Sequence, residues 1–459
     1  MRVQKKEYNS TTSLIVLTSL FFMWGFITCM NDILTPYLKG VFHLNYTQAM
    51  LVQFSFFGAY FIGSVIYFFI SSRIGDPINK IGYKNGIILG LLLSAFGTLL
   101  FYPAAQFVSY IFFLSALFIL GLGFTILQIA ANPYVAIIGP PETASSRLNL
   151  SQGFNSFGTT IAPLIGGYLI FKYFVTNSSG ADSVKIPYLV FTILFLLLAL
   201  IIKFSNLPVF SQQVHFRKGA GALKYKHLVL GMIAIFMYVG GEVSIGTLMI
   251  SYLGLKEIAG LKPAEASTFV AFYWGGLMIG RFIGSISLSG MKNTSKQILM
   301  LTIPIIAFLI IFYFKGFDIA LIYSIILILN IIAFNLGRYI PSRTLFVFAL
   351  FAELLLIASL FSSGKVAMWS VIGIGLFNSI MWSNIFTLAI DGLGEHTSQG
   401  SSLLVMAILG GAIIPVIQGA TADALGIHLS FIVPLLSYLY IAFYGLKGFN
   451  LGRAKTDYS

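Results

Sequence analysis

The sequence predicts an all-α protein that crosses a membrane many times. Hydrophobic residues make up 58% of its 459 residues and charged residues only 9%, whereas a soluble domain carries about 25% charged residues. The mean hydropathy is +0.92. Apolar runs long enough to span a bilayer recur along the whole chain. These observations exclude a soluble globular fold.

Fourteen apolar segments of spanning length are predicted, six before a polar, basic linker and eight after it. They fall at about 14–38, 48–70, 82–102, 109–138, 147–172, 187–207, 227–253, 266–288, 297–315, 318–337, 343–362, 366–390, 399–421 and 427–447. We number them 1 to 14. The linker, 208–226, separates an N-terminal bundle, 1–207, from a C-terminal bundle, 227–459. Two hydrophobic halves are typical of transporters built from repeated bundles.

The positions of the lysines and arginines predict the orientation of the chain. If the N-terminus is cytoplasmic, twenty of these 27 residues lie on the cytoplasmic side and seven lie on the other. Positive residues accumulate in cytoplasmic loops, so both termini are expected inside a cell (inner) membrane. The net charge of +13 is then a topology signal, and nucleic acid is not an expected partner. The first apolar run is long enough to span and lacks a small-residue cleavage site, so no signal peptide is expected.

An integral-membrane enzyme is the alternative from another functional class. Such an enzyme would need a cluster of metal ligands or an activated nucleophile. The single cysteine, Cys29, excludes disulfide bonds within the chain and argues against a metal cluster. The histidines lie in loops or at segment ends: His43, His215, His227, His396 and His428. We therefore expect a monomeric membrane protein that binds a small molecule, has no cofactor and is not an enzyme.

Asn31 and Asp32 lie within the otherwise apolar segment 1. A charged side chain at the centre of a spanning helix costs about 2.5–3.5 kcal/mol, so such residues usually face a bundle interior or a wet cavity. Trp24, two turns earlier, gives the same region an aromatic face. The alternative is a carboxylate paired with a basic group for structural reasons. We favour a binding site.

Amide side chains interrupt the apolar segments 4 and 5. Gln128 and Asn132 are four residues apart, and Gln152 and Asn155 are three apart, so each pair shares a helix face. An amide offers both donors and an acceptor and therefore suits the hydroxyl groups of a sugar. The alternative is packing between helices, to which an amide contributes about 0.6 kcal/mol. Four amides on two segments favour a polar pocket, and Gln53 in segment 2 is a further candidate.

Two more acids are predicted within the membrane. Glu242 follows Gly240 and Gly241 in segment 7, where glycines let a helix open or another group approach. It is predicted to bind a ligand or couple to an ion, and a hydrogen bond between helices is the alternative. Glu353 in segment 11 has apolar sequence neighbours and is predicted to be structural. Arg281, towards the end of segment 8, is assigned to topology and loop pairing.

Tryptophans supply possible platforms for a sugar ring. An indole face can pack against the C–H face of a pyranose, although tryptophan in a membrane protein is often an interfacial anchor. Trp382 lies deep in segment 12 between Asn378 and Asn384, which favours a pocket. For Trp274 in segment 8 both interpretations stay open. Gln418 in segment 13 is a further pocket candidate.

These residues fall in motifs through which the chain resembles the fucose–galactose–glucose:cation symporter family of the major facilitator superfamily. The motifs are Asn31-Asp32-Ile33-Leu34 with Pro36, Ala130-Ala131-Asn132-Pro133-Tyr134, Leu148–Gly158, Tyr238-Val239-Gly240, Ile279-Gly280-Arg281-Phe282, Ile385-Phe386 and Gly400-Ser401-Ser402. The resemblance spans nearly the whole chain. It implies the major facilitator fold, with two six-helix bundles. It also implies alternating-access import of a hexose (glucose, galactose, fucose or a related sugar) with a cation.

The resemblance also implies roles for individual residues. Asp32 falls at the family's cation-linked aspartate, and Gln152 and Asn155 fall at sugar-contacting amides. Trp382 falls where fucose-transporting members have a sugar-lining tyrosine. The full set predicted to bind substrate is Asn31, Gln53, Gln128, Asn132, Gln152, Asn155, Trp274, Asn378, Trp382 and Asn384, and the set predicted to couple the cation is Asp32 and Glu242.

The chain departs from the family pattern in its carboxylates. Fucose-transporting members have a glutamate where this chain has Gln128, and a glutamine where it has Glu242. The coupling ion is therefore left open between sodium and a proton; we favour sodium, near Asp32 or Glu242. An uncoupled sugar facilitator and a drug or metabolite exporter of the same fold are the alternatives.

The second departure is length. The family core has twelve helices, and the match resumes at about Ser342. Residues from about 290 to 340 are therefore predicted to be an inserted helical pair in the C-terminal bundle. Because the pair is even in number, it preserves the orientation of the following helices.

Overall fold

The fold is known from a computed structural model that describes residues 10–44, 46–168, 180–208 and 219–452. Within these ranges the chain forms nineteen α-helices and no β-strand. In chain order they are α1 Ser10–Val41, α2 Tyr46–Ile74, α3 Pro77–Ile81, α4 Tyr83–Leu99, α5 Phe101–Gln106, α6 Tyr110–Ile137, α7 Ala144–Tyr168, α8 Lys185–Phe204, α9 Lys226–Leu253, α10 Pro263–Ser287, α11 Asn293–Lys315, α12 Phe317–Leu336, α13 Pro341–Phe361, α14 Gly364–Asn378, α15 Met381–Ile390, α16 Thr397–Met406, α17 Gly410–Leu425, α18 Ile427–Ser430 and α19 Ile432–Leu446.

The prediction of an all-α protein with many membrane crossings is confirmed. In the described part of the chain, thirteen helical stretches are long and apolar enough to cross a membrane. The remaining predicted segment, 147–172, corresponds to α7. Its polar residues, among them Arg147, Gln152 and Asn155, keep its described part below the hydropathy of the other spans. Residues 169–172 lie outside the described ranges.

Several predicted segments are interrupted helices. Segment 82–102 forms α4 and α5, and segment 366–390 forms α14 and α15. Segment 399–421 forms α16 and α17, separated by a 3₁₀ turn at Ala407–Leu409. Segment 427–447 forms α18 and α19. Hydropathy alone predicts that each segment spans the membrane, and it does not detect these breaks.

The break between α14 and α15 lies at a close contact with α10. Gly280 of α10 packs directly against Ser379, and a side chain at this glycine would overlap it. The Ser379 hydroxyl donates to the carbonyl of Leu376 at 2.6 Å. Small residues let helix backbones approach in a membrane, and here they fix the point at which the helix is interrupted. Asn378 and Trp382 lie on either side of this point.

The described residues pack as two compact units. Unit 1 comprises Met1–Gly139, Phe154–Lys224 and Gly392–Met406, and unit 2 comprises Pro140–Gly153, Tyr225–Asp391 and Ala407–Ser459, apart from residues outside the described ranges. Most of the described residues before 208 belong to unit 1 and most of those after 226 belong to unit 2, with two exceptions. The beginning of α7 groups with unit 2, and α16 groups with unit 1 because it packs on α2 and α6.

In unit 1, α6 is the central helix. It contacts α4, α2 and α1. Gly97 of α4 lies against the backbone of Leu120, and Gly123 of α6 lies against Ser94, so neither glycine has room for a side chain. These close contacts hold the polar residues of α6 among its neighbours.

In unit 2, the α14–α15 stretch is central and α11 is peripheral. In the spanning window of Gly364–Ile390, 94% of the residues are buried, whereas in that of Asn293–Lys315 only 11% are. Helix α12 is anchored to its neighbours: Asn330 donates to the carbonyl of Leu376 at 3.1 Å. That residues from about 290 to 340 are an inserted helical pair stays a prediction.

Candidate functional site

A buried polar cluster in unit 1 is formed by α1, α2 and α6. Tyr60 of α2 is 3% exposed, and its hydroxyl interacts with Trp24 and Thr28 of α1 and with Gln128 of α6. The Thr28 hydroxyl donates to the carbonyl of Trp24 at 2.8 Å. Three helices thus direct an indole, two hydroxyls and an amide to one place. We call this set the unit 1 cluster.

Asn132 lies one turn beyond Gln128 on α6, as the sequence predicts. Its exposed fraction is 0%, and its Nδ2 donates to the carbonyl of Gln128 at 3.2 Å. Its Oδ1 has no hydrogen-bond partner within the described part of the chain. A buried acceptor of this kind is suited to a hydroxyl donor from a ligand.

The predicted residues Asn31, Asp32 and Gln53 lie on α1 and α2, but their side chains are outside the described residues. Their backbone positions are helical. Asp32 follows Thr28 by four residues, and positions four apart share a helix face. The backbone therefore places Asp32 on the face of α1 that carries Trp24 and Thr28.

Asn155 connects α7 to α1. Its Nδ2 donates to the carbonyl of Phe21 at 3.1 Å, and Gly25 packs directly against the backbone of Asn155. Gln152, one turn earlier on α7, is 5% exposed. Asn155 thus contributes to packing, which does not prevent its remaining oxygen from contacting a ligand.

In unit 2, a chain of hydrogen bonds connects α19, α14, α10 and α9. The Tyr438 hydroxyl donates to Oδ1 of Asn378 at 2.6 Å. Nδ2 of Asn378 donates to the hydroxyl of Tyr273 at 2.8 Å, which in turn donates to the backbone carbonyl of Glu242 at 3.0 Å. Two residues predicted from the sequence, Asn378 and Glu242, are therefore joined through Tyr273. We call this set, with Tyr238 and Arg281, the unit 2 cluster.

The carboxylate of Glu242 is influenced by two neighbouring side chains. It interacts electrostatically with Tyr238, one turn earlier on α9, and with Arg281. Arg281 is 8% exposed, and its guanidinium donates to the carbonyls of Ser379 at 3.3 Å and Gln152 at 3.4 Å. The assignment of Arg281 to topology and loop pairing is therefore corrected: it is a buried cation beside the only acid of the unit 2 cluster.

The three remaining predicted residues differ in their surroundings. Trp274 is 41% exposed and meets Tyr273 edge to face, with ring centroids 5.1 Å apart. Trp382 is 7% exposed, and its indole N–H has no hydrogen-bond partner among the described residues. Asn384 donates to the carbonyl of Pro341 at 3.1 Å and accepts from Asn149 at 3.3 Å. Its amide is occupied by helix packing, the alternative that the sequence left open.

Tyr60, Tyr238 and Tyr438 are site residues that the sequence analysis missed. In a sequence, a tyrosine in an apolar helix looks like an ordinary residue of the hydrophobic core, because its ring contributes most of its buried surface. Tyr238 could have been found, because it precedes Glu242 by four residues and shares its face. Tyr60 and Tyr438 interact with residues of other helices, and no local sequence pattern indicates such contacts.

A turn between α2 and α4 forms a third buried polar site, in unit 1. Asp76 caps α3 and accepts from the Tyr67 hydroxyl at 2.6 Å and the backbone N–H of Ile78 at 3.0 Å. Burial raises the pKa of Asp76 to about 6, although its hydrogen bonds oppose that rise. Asn79, in the same turn, donates from its Nδ2 to the carbonyl of Glu395 at 2.6 Å.

The described residues contain no group of three or more His, Cys, Asp or Glu side chains that could hold a metal ion. The polar clusters are instead built from amides, hydroxyls and single carboxylates within membrane-crossing helices. Buried ionisable and amide groups in such helices mark the paths of substrates and ions. The fold and the polar clusters of the two units together are typical of a membrane transporter.

Comparison with known proteins identifies the family. Residues 14–342 match the Major Facilitator Superfamily. The glucose/galactose transporter of Brucella abortus is 47% identical over 448 residues, which cover 96% of this chain and 95% of that protein. The putative glucose/galactose transporter of Helicobacter pylori is 38% identical, with 97% and 98% coverage. The crystallised Escherichia coli fucose:proton symporter FucP, in a variant form, matches with a TM-score of 0.75 and 29% identity, over 95% of this chain and 98% of that one.

The chain therefore belongs to the major facilitator superfamily, and its similar relatives are sugar transporters. The family predicted from the sequence motifs is confirmed. The protein is a multi-pass membrane transporter and not an enzyme.

Proposed function

We propose that the protein imports a hexose in symport with a cation by alternating access. Its relatives are named glucose/galactose transporter and L-fucose-proton symporter, which supports a sugar as substrate. In this proposal the protein lies in a cell (inner) membrane with both termini in the cytoplasm. It needs no cofactor besides the coupling ion and works as a monomer.

The hydrogen-bonded unit 2 cluster is the observation that carries this proposal. Tyr438, Asn378 and Tyr273 present alternating donors and acceptors within membrane-crossing helices. A sugar hydroxyl both donates and accepts, so it can insert into such a chain without leaving a buried group unpaired. The neighbouring Trp274, edge to face with Tyr273, offers an aromatic surface for the C–H face of the ring.

The electrostatic interaction of Glu242 with Arg281 supports coupling to a cation. Opposite charges in a low-dielectric interior attract each other, and neutralising one of them leaves the other uncompensated. A proton or a sodium ion bound at Glu242 would compete with Arg281 for the carboxylate. Arg281 already bonds carbonyls on two other elements, so its release changes contacts between helices. Asp32, on the Trp24 face of α1, is the second candidate for the coupling group.

Sodium is the ion that we favour. A proton-driven mechanism with two acids in the N-terminal half would need a carboxylate where this chain has Gln128. Sodium prefers hard oxygen ligands, and the unit 1 cluster supplies hydroxyl and amide oxygens on the face of α1 that carries Asp32.

Uptake of radiolabelled glucose into proteoliposomes tests both parts of the proposal. An inward sodium gradient at fixed pH should drive accumulation, and replacing sodium by choline should abolish it. An uncoupler, which collapses the proton gradient, should have no effect. Accumulation that survives choline but is lost with the uncoupler would replace sodium by a proton. Equilibration without accumulation under either gradient would indicate a facilitator, and absence of sugar uptake would refute the proposed substrate.

A further inference from the structure

Gln418 of α17 is a completely buried amide without a hydrogen bond. Its exposed fraction is 0%, and neither Nε2 nor Oε1 has a partner within the described part of the chain. Leaving a buried donor or acceptor unpaired is costly, and in the hydrocarbon region bulk water cannot compensate. Gln418 uses neither of its two functions for packing, unlike Asn384 and Asn330.

The packing of α17 on α9 fixes the level at which Gln418 lies. Gly410 packs directly against the backbone of Phe236, and Ile414 packs against Gly240. Both helices advance by four residues between these contacts, so they run side by side in the same direction and in step.

One further turn brings Gln418 to the level of Ser244. This serine is also 0% exposed, and its hydroxyl oxygen has no partner among the described residues. Two helices thus carry unsatisfied polar groups at the same height, two residues beyond Glu242 on α9. The coincidence points to one shared partner for both side chains.

The chemistry of the two side chains selects the partner. An amide needs both an acceptor and a donor, and a serine hydroxyl can supply or accept one further bond. A sodium ion would satisfy only the oxygens and leave Nε2 unpaired. A neutral hydroxyl group both donates and accepts, so it can pair with the amide of Gln418 and with the hydroxyl of Ser244. A hydroxyl of this kind belongs either to a sugar or to a bound water.

Helix α17 has a feature that allows access to this place. Pro415 lies inside the helix, one turn before Gln418. Proline removes an intrahelical hydrogen bond and lets a helix bend. Glycines form the contact with α9 at Gly240 and Gly410, so separating the helices disrupts few interlocked side chains.

We propose that Gln418 and Ser244 bind one hydroxyl group of the transported sugar and thereby contribute to its selection. This inference rests on the proposed function, because it requires a sugar as substrate. It adds a contact on α17, a helix that contributes no residue to the unit 2 cluster.

Binding of glucose and of its monodeoxy derivatives to the full-length protein tests the inference. The comparison uses wild type, Gln418→Met, which keeps the side-chain volume, and Gln297→Met on α11 as the matched control. Gln418→Met should weaken glucose binding about tenfold, the scale of one lost hydrogen bond in a buried site. One monodeoxy sugar, lacking the hydroxyl concerned, should bind wild type and Gln418→Met equally. The control should bind every sugar as wild type does.

The outcomes separate a sugar hydroxyl from a bound water. Unchanged glucose affinity in Gln418→Met would assign the amide to water and overturn the inference. If Gln418→Met loses the same affinity for glucose and for every monodeoxy derivative, the inference is also overturned. If Gln418→Met does not fold, Ser244→Ala provides the same comparison. The same monodeoxy sugar should then bind Ser244→Ala and wild type equally. If the wild-type protein binds no sugar, the proposed function itself is refuted. The wild-type measurement alone shows this, without any variant.

Discussion

In the proposed function, Glu242 and Asp32 are the two candidate acids for coupling to the ion. Glu242 has a defined environment, since it interacts electrostatically with Tyr238 and Arg281. Asp32 is placed by helix geometry alone, on the face of α1 that carries Trp24 and Thr28. Their substitutions should therefore have different consequences, and the difference identifies the coupling residue.

Asp32→Asn should abolish cation-driven accumulation of sugar while leaving counterflow exchange, because neutralising the acid removes ion binding but not the sugar site. Glu242→Gln should weaken sugar binding, because it removes the negative charge that attracts Arg281 and alters the cluster around Tyr273. Uptake and counterflow in proteoliposomes measure both effects, with Asp318→Asn, an exposed acid on α12, as control. If Asp32→Asn still accumulates sugar and Glu242→Gln does not, the coupling role passes to Glu242.

Gln152→Ala and Asn155→Ala should each weaken sugar binding by roughly 1–3 kcal/mol, because each leaves a sugar hydroxyl unpaired in a dry site. They should differ in stability. Asn155 also bonds the carbonyl of Phe21, so its loss should lower the melting temperature more than Gln152→Ala does. Sugar binding and thermal unfolding in detergent provide the two readings. Unaltered binding in both variants would assign these amides to helix packing.

At the scale of elements, hydropathy predicts each spanning helix because a bilayer requires about 20 consecutive apolar residues. It cannot predict the break at Ser379, which depends on Gly280 from another helix. The same limit applies to the site. Asp32, Glu242 and the amides were predicted because polar groups are costly in a membrane, whereas Tyr438 and the buried position of Arg281 depend on partners distant in sequence.

The α11–α12 pair should lie outside the transport path. The low burial of α11 and the packing of α12 on α10 and α14 support this. Single cysteines placed along α11 in a variant lacking Cys29 should react with a membrane-impermeant thiol reagent only at the helix ends. Glucose should not change their reactivity, whereas a cysteine at Trp274 should be protected by it. Protection of any α11 position by glucose would contradict the peripheral assignment.

At the scale of the whole molecule, each unit incorporates a segment from the other half of the chain. Residues Gly392–Met406 belong to unit 1, where Gln399 accepts from the backbone N–H of Ala222 at 2.9 Å and Asn79 donates to the carbonyl of Glu395. The turn that contains Asp76 is therefore part of a contact between sequence-distant segments. A change in its charge acts on the stability of the protein as a whole.

Stability should decrease as pH rises from about 4 to 7. Asp76 has a pKa near 6 in the folded protein, above the usual 3.8, so the folded state holds its proton more tightly than the unfolded chain. This contribution is complete below about pH 4 and is lost as pH rises through 6. The difference between a pKa of 3.8 and one of about 6 corresponds to at most about 3 kcal/mol of folding stability. The melting temperature, measured between pH 4 and 7, should therefore decrease as the pH rises.

Asp76→Asn is the variant that isolates this effect. The asparagine oxygen can still accept from Tyr67 and Ile78, so the cap on α3 is kept while the titrating proton is removed. The melting temperature of this variant should depend less on pH than that of wild type. Asp318→Asn should retain the wild-type dependence. An Asp76→Asn curve parallel to that of wild type would assign the pH dependence to other groups.

The low burial of α11 should make this helix tolerant of substitutions. Only 11% of its spanning window is buried, so most of its side chains are at least partly exposed and should accept any residue of similar hydropathy. Along α14–α15, where 94% is buried, each side chain is surrounded by specific neighbours. Saturation mutagenesis under selection for growth on the transported sugar should therefore find α11 almost silent and α14–α15 intolerant.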